Sequence, residues 1–380
     1  MCVHGKFYKF VPESCQAPSG RRKFCMMKQG NKVTINDVAR AAGVSKGTVD
    51  RVLHNRGEVS AASRQQVLDV IKELGYRPNI YASLLASRKE HRIVCIIPEF
   101  SAGEFWELTD KGIARGREFA SGYGIPVHTV QYDQYDMESF QRACATALSE
   151  NPTGVIIAPM FRVETLKFVK ELKDRGIAYM YIDSKLEEDD YLAYFGMPMY
   201  QSGYLCADLL TDGRKVYRIY VIRIARDRKG HSDPTVTRRT GFMDYINEYY
   251  PDCEIENIFI NPKDPEDIKA RLDRMFMKDP DPHKFLVMFN SRIHLVADYL
   301  RARQIRTCRV VGFDVMERNL AAVRDGYVQL LIAQHSDNQV AAAINAMTEW
   351  LLISRPLSRK DNYTQMDILN RFNCDYYLQK

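Results

Sequence analysis

The 380-residue chain is short of the features that mark a membrane protein, a secreted domain or an enzyme. No apolar run approaches the ~20 residues needed to span a bilayer. The first 31 residues are basic and aromatic but have no apolar stretch of the signal-peptide kind. Nine cysteines stand singly at 2, 15, 25, 95, 144, 206, 253, 308 and 374, with no CxxC pair. That odd, scattered set argues against a zinc site or a disulfide framework; it fits small buried apolar residues in a reducing, cytoplasmic setting. No strand-like run is followed by GxGxxG, no Walker loop is present, and no histidine pair has metal-ligand spacing. RDRKGHSD (226–233) sets His, Ser and Asp side by side, but sequence neighbours cannot form a triad, so it reads as a solvated loop. EEDD (187–190) reads as an exposed turn. Nothing calls for catalysis, a metal or a cofactor.

What is present begins with charge asymmetry. The net charge is +6, yet residues 1–92 carry 17 Lys and Arg against 7 Asp and Glu, while the remainder carries 37 against 41. A basic head on a mildly acidic body fits a polyanion-binding module joined to something else.

The head is VTINDVARAAGVSKGTVDRVLHNRGEVSAASRQQVLDVIKELGYRPNIYASLLASR, Val33 to Arg88. Thr34 is a strong N-cap, with Asp37 three residues on. Val38, Ala41 and Ala42 give a small apolar face. Gly43 ends the helix and Ser45 caps the next after a two-residue turn. Two helices joined this way predict a helix-turn-helix, whose second helix enters the DNA major groove. On that helix, Lys46 to Leu53, Val49, Val52 and Leu53 face inward and Lys46, Gly47, Asp50 and Arg51 outward. A third helix starts at Ser60, buries Val67, Val70, Ile71 and Leu74, and closes at Gly75.

The stretches DVARAAGVSKGTV and RVL, then Val59, Ser60 and Arg64, then LGYRPN, together resemble the lactose-repressor (LacI) family of transcription regulators. The resemblance implies a dimer on a pseudo-palindromic double-stranded DNA operator. Lys46 and Arg51 would reach base edges, and Gly47 would let the backbone approach. Thr34, Ser45, Thr48, Ser60 and Asn79 complete the DNA-facing set, Ser45, Thr48, Ser60 and Asn79 as phosphate contacts. Asp50 and His54 depart from the family's serine and asparagine. Residues 79–91 would form a hinge helix with Leu85 as the minor-groove wedge; Ser83 stands where the family commonly has arginine. Members of the family begin a few residues before the first helix, so residues 1–31 are expected to be a mis-assigned start, with Met26 or Met27 the true one, or else a disordered basic arm.

From residue 92 to 380 short buried strands alternate with amphipathic helices, the rhythm of a parallel sheet covered on both faces. The rhythm restarts after Gly196, predicting two α/β lobes with a cleft between them. The body resembles the type I periplasmic-binding-protein fold, which implies three chain crossings between lobes, expected near 190, 334 and 357. The expected architecture is therefore an all-α helix-turn-helix head (32–78) plus a two-lobed α/β body.

Candidate ligand residues fall at strand ends: Phe105 and Trp106 in a loop after the first strand, then Asp183, Arg238 in an R-x-x-G-F pattern, Asn290, Asp314 and Gln334. Carboxylates, amides, an arginine fork and an aromatic pair suit a polyhydroxylated small-molecule effector, expected to be a carbohydrate. Arg238 would also admit a sugar acid or phosphate. Ser291 stands where many relatives have aspartate. A homodimer is expected rather than a tetramer, because no leucine-heptad tail follows residue 357. Two other classes share parts of this pattern. An extracytoplasmic sugar-binding protein would lack the head; a sugar-processing enzyme would need a catalytic carboxylate pair or phosphate loop.

Overall fold

The computed structural model describes residues 33–53, 57–76, 90–186, 189–224, 235–354 and 356–377. The expectations for residues 1–31, for His54, Asn79 and Leu85, for nearly all of the hinge and for the loop 226–233 lie outside the described residues. The chain divides into two compact units, 1–78 and 79–380.

The first unit has three described helices, α1 (Ile35–Ala41), α2 (Lys46–Leu53) and α3 (Ala61–Leu74). Local chemistry explains each boundary. Thr34 accepts from the Asp37 amide while the Asp37 carboxylate takes the Thr34 amide at 2.9 Å, a reciprocal cap. Gly43 adopts φ +60°. Ser45 Oγ accepts from the Thr48 amide at 3.1 Å, and Ser60 Oγ from that of Ser63 at 3.2 Å. Gly75 closes α3 in the left-handed region. Val38, Ala39, Ala42, Val49, Val52, Val67 and Tyr76 form the core. One expectation changes: Ala41 is exposed and Ala39 is buried, because α1 packs on its 38–39–42 stripe.

The second unit holds two six-stranded sheets. In chain order its elements are β1 (Ile93–Pro98), α4 (Phe105–Ser121), β2 (Val127–Tyr132), α5 (Met137–Ser149), β3 (Gly154–Ile157), α6 (Arg162–Asp174), β4 (Ala178–Asp183), β5 (Ala193–Gly196), α7 (Met199–Thr211), β6 (Arg218–Ile224), α8 (Val236–Tyr249), β7 (Glu254–Ile260), α9 (Pro265–Lys278), β8 (Phe285–Val287), α10 (His294–Ala302), β9 (Arg309–Phe313), α11 (Glu317–Arg324), β10 (Leu330–Ala333), α12 (Ser336–Ile353), β11 (Asp361–Tyr363), β12 (Asp367–Leu369) and α13 (Cys374–Tyr377). The first sheet runs β11-β5-β4-β3-β1-β2 and is wholly parallel; the second runs β12-β10-β9-β8-β6-β7, parallel except for the β10–β12 pair. Strands β1 and β3 are buried along their whole length, as interior strands covered on both faces must be.

Three boundaries differ from the sequence reading. Helix α4 starts at Phe105, so Phe105 and Trp106 lie on its first turn and not in a loop. The first crossing follows Gly196 and not residue 190, because β5 extends the first sheet. The third lies at 364–366 and not 357, because β11 belongs to the first sheet and β12 to the second. The second falls at Gln334 as expected. Thr364 ties all three together: its amide donates to Gly196 O at 2.9 Å and its hydroxyl to Gln334 O at 2.9 Å.

Asp189 also departs from expectation. It is buried, not part of an exposed turn, because Lys173 Nζ at 2.8 Å and the hydroxyls of Tyr179 and Tyr181 satisfy its carboxylate. Five of the six described cysteines are buried, and burial pushes the Cys95 and Cys144 thiols up to about 12. Among the described residues no helix is long and apolar enough to cross a membrane.

Candidate DNA-reading helix and interlobe cleft

On the head, α2 separates its faces as its sequence dictates. Val49 and Val52 are buried, while Lys46, Gly47, Asp50 and Arg51 are exposed. Ser45 and Thr48 stand at its start with their hydroxyls 2.9 Å apart. Thr34 Oγ1 is engaged by Asp37 at 2.6 Å and Ser60 Oγ by Ser63 at 2.9 Å, so both act as caps in this structure.

In the body the lobes enclose a cavity of about 700 Å³. The first lobe contributes Phe105 and Trp106 from α4, with Tyr135; the second contributes Asn290 and Arg292 after β8, with Lys263. Phe105 is half-buried and meets Trp106 edge to face at 5.0 Å. Trp106 is only 6% exposed and belongs to the first lobe's core, so Phe105 offers the more accessible ring. Among the described residues, two contacts bridge the lobes at the cleft: Arg292 to Glu104 at 3.4 Å, and Lys263 Nζ over the Tyr135 ring at 5.1 Å. Neither was foreseen, since no local pattern marks a pair separated by more than a hundred residues. Asn290 turns Oδ1 back onto the Arg292 amide at 3.0 Å.

A smaller cavity of about 200 Å³ adjoins the first and shares Phe105 with it. Asp314, Gln334 and Ser336 line it, with Lys111 and Tyr377. Gln334 donates to Asp314 Oδ1 at 2.7 Å; its own Oε1 and the Ser336 hydroxyl are buried and without a hydrogen-bond partner. Buried acceptors in that state favour a ligand that brings hydroxyl or amide donors.

Asp183 and Arg238 line neither cavity. Asp183 ends β4 and Asp314 follows β9, the third strands of their sheets counted from β11 and β12. Both adopt left-handed backbone, φ +64° and +71°, a conformation aspartate tolerates better than most residues. The two lobes thus present matched carboxylates at strand ends, where open α/β sheets bind ligands. Burial pushes Asp183 up to about 7, with Asp314 adding repulsion and Arg238 opposing; it pushes Asp314 up to about 6, again opposed by Arg238.

Arg238 is 4% exposed. Its Nε donates to Ser202 Oγ at 3.0 Å, Nη1 to the Phe289 carbonyl, and Nη2 faces the sulfurs of Met197 and Met199. Its plane lies over Phe313 at 4.0 Å. It forms no ion pair among the described residues. Burial lowers its proton affinity while Asp314 and Asp183 sustain it. The R-x-x-G-F pattern has a packing cause. A Cβ at Gly241 would lie 2.0 Å from the Tyr200 carbonyl oxygen, and one at Gly203 would lie 1.7 Å from that of Arg238. The paired glycines let α7 and α8 touch backbone to backbone, which seats Arg238. Phe242 is fully buried against Phe289.

Comparison with known proteins agrees with both units. The family model for bacterial regulatory proteins of the lacI family matches residues 34–79, and that for a periplasmic binding protein domain matches 93–352. A Bacteroides fragilis protein solved as a candidate LacI transcriptional regulator is 31% identical, covering 76% of this chain and 100% of that one, with a TM-score of 0.71. The chain belongs to the LacI family. Among LacI-family relatives, the sucrose operon repressor of Pediococcus pentosaceus is 25% identical over 331 residues, 85% of this chain and 92% of that protein. The HTH-type transcriptional regulator DegA of Bacillus subtilis is 37% identical over 102 residues. That match spans 27% of this chain and 30% of DegA, so the chain aligns with under a third of that relative's length. GanP, a glucose-galactose binding protein from Geobacillus stearothermophilus, is 17% identical with a TM-score of 0.64, a likeness of fold alone.

Proposed function

We propose that this LacI-family chain is a sequence-specific transcription regulator, acting as a repressor in the cytoplasm. A homodimer sets two copies of α2 in the major grooves of a pseudo-palindromic operator. The observation that carries this reading is the exposed face of α2, with Lys46, Gly47 and Arg51 outward over buried Val49 and Val52. A bidentate Arg51–guanine contact would contribute roughly 1–3 kcal/mol of discrimination. Ser45, Thr48, Ser60 and Asn79 set position on the phosphates, and Thr34 completes the DNA-facing set. Asp50 and His54 tune the same face, and Leu85 of the hinge wedges the central base step.

The effector is a sugar or sugar derivative held in the cleft by Phe105, Asn290, Asp314 and Gln334, backed by Trp106, Asp183 and Arg238. Unpaired acceptors beside an aromatic ring support a ligand with both hydroxyls and an apolar C–H face. Binding couples to DNA through unequal ligand affinity for two lobe arrangements. The test is selection of bound genomic fragments by the purified chain near physiological salt, with and without added sugars. A palindrome with a central pyrimidine–purine step is expected; enrichment without a motif would overturn specific reading.

A further inference from the structure

Asn319, on the first turn of α11, has no solvent exposure, and no local motif marks it. Its Nδ2 lies 3.0 Å from Ser291 O, 3.1 Å from Phe313 O and 3.1 Å from Asp314 O. Its Oδ1 accepts from the His294 backbone amide at 3.1 Å and meets His294 Nδ1 at 3.0 Å. Three carbonyls on one side and a backbone N–H on the other fix which way the amide points. His294 must then carry its proton on Nδ1. Buried as it is, with Arg318 nearby, its pKa falls to about 4, so it stays neutral.

These partners belong to two segments that leave neighbouring strands, beyond the last paired residues Val287 and Val311. Ser291 and His294 follow β8, next to Asn290; Phe313 and Asp314 end and follow β9. Both segments line the interlobe cavities. A left-handed turn at Asp314 leaves carbonyls that the sheet does not satisfy, and a buried carbonyl must find a donor.

We propose that Asn319 is the positioning residue of the second lobe's half of the cleft: one buried amide rivets the strand-end segment bearing Asn290 to the one bearing Asp314. It touches no ligand itself. Asn319 fixes the spacing between an amide and a carboxylate that act on the same molecule, so its loss reduces affinity through Asn290 and Asp314. This extends the ligand-site reading given above and rests on it for the affinity arm alone.

The experiment uses the full chain with N319A and N319D. The first variant removes every bond; the second keeps an acceptor for His294 and loses the three donor contacts. Hydrogen exchange is followed over residues 289–294 and 312–317, with the first lobe's sheet as reference, and global stability by urea unfolding. Binding of D-glucose, D-galactose, D-ribose and sucrose is measured by calorimetry. Expected is lost protection in both segments, an unchanged first lobe, and affinity at least about tenfold weaker for any sugar the parent binds. Unchanged exchange at either segment, loss spread evenly over the chain, or parental affinity in a folded variant would overturn the proposal. If the parent binds none of the four sugars, the carbohydrate reading fails, while the exchange arm still judges Asn319. Should neither variant fold, the parent decides: nitrogen-15 spectra must show His294 protonated on Nδ1, and the Nε2–H form would refute the arrangement.

Discussion

Gln334 donates to Asp314 at 2.7 Å while its own carbonyl oxygen is buried without a partner, so one amide is both spent and open. The bond favours the ionised carboxylate, yet burial outweighs it and holds Asp314 near 6, as it holds Asp183 near 7. Both values lie above the ordinary carboxylate range. For an acid raised in the folded state, the fold binds more protons than the unfolded chain between the two values, so the contribution is fully present below about pH 4 and is lost as pH rises through 6 to 7. Urea unfolding at pH 5 and pH 8 should show this downward component. D183N and D314N should each flatten it, and an unchanged slope in both would sink the assignment.

The α7–α8 contact predicts an intolerant position. A methyl group at Gly241 meets backbone, the Tyr200 carbonyl oxygen at 2.0 Å, and backbone cannot rotate aside. G241A should destabilise the body by about 3 kcal/mol or more, the upper range for overpacking, and should displace Arg238. Thermal unfolding checks the first. A G241A protein as stable as the parent would mean that the helices part without cost.

The crossings between the lobes meet at Thr364. T364V keeps the shape and the backbone bond to Gly196 but removes the hydroxyl, which donates to Gln334 O, lies 3.3 Å from Gly196 O and accepts from Gln339 Nε2 at 3.1 Å. A loss of about 1 kcal/mol is expected, with a wider spread of lobe separations in solution scattering. Scattering profiles that superimpose on the parent's would assign Thr364 a purely local role.

Asp50 is exposed on α2 among residues proposed to face DNA. Replacing a carboxylate near phosphates should strengthen binding to random DNA. D50S is expected to gain up to about fivefold at low salt, the equivalent of ~1 kcal/mol for unit charges about 4 Å apart in water. The gain should shrink as salt rises. Equal or weaker binding of random DNA would show that Asp50 does not face phosphate.

The glutamate–arginine bridge between the lobes is half-buried and 3.4 Å long, and a partly solvated pair of that kind adds about 1 kcal/mol or less to folding. Its partners, Glu104 and Arg292, come from different lobes, and nothing local in either segment announces the pair. The same holds for much of the cleft.

What the sequence determined by itself was the part governed by neighbours three or four residues apart. Thr34 with Asp37, the left-handed Gly43 and Gly75, and the apolar stripe of α2 act within one helical turn, so the head was legible almost to the residue. The strand–helix alternation was legible for the same reason, since buried strands and amphipathic helices carry their own periodicity; the second crossing at Gln334 came instead from the resemblance to the type I periplasmic-binding-protein fold. Tertiary structure alone decided the rest. Strands β5, β11 and β12 span only three or four residues and have no period to read, so the first and third crossings were misjudged. Asp189 looked like part of a solvated turn until Lys173 and two tyrosines closed on it. Arg238 and Asp183 line neither cavity, and Asn319 and Thr364 have their roles through bonds that reach as far as Ser291 and Gly196, 28 and 168 positions away. Hydrogen bonds of that reach follow from how sheets stack and cross, and local sequence holds no trace of them.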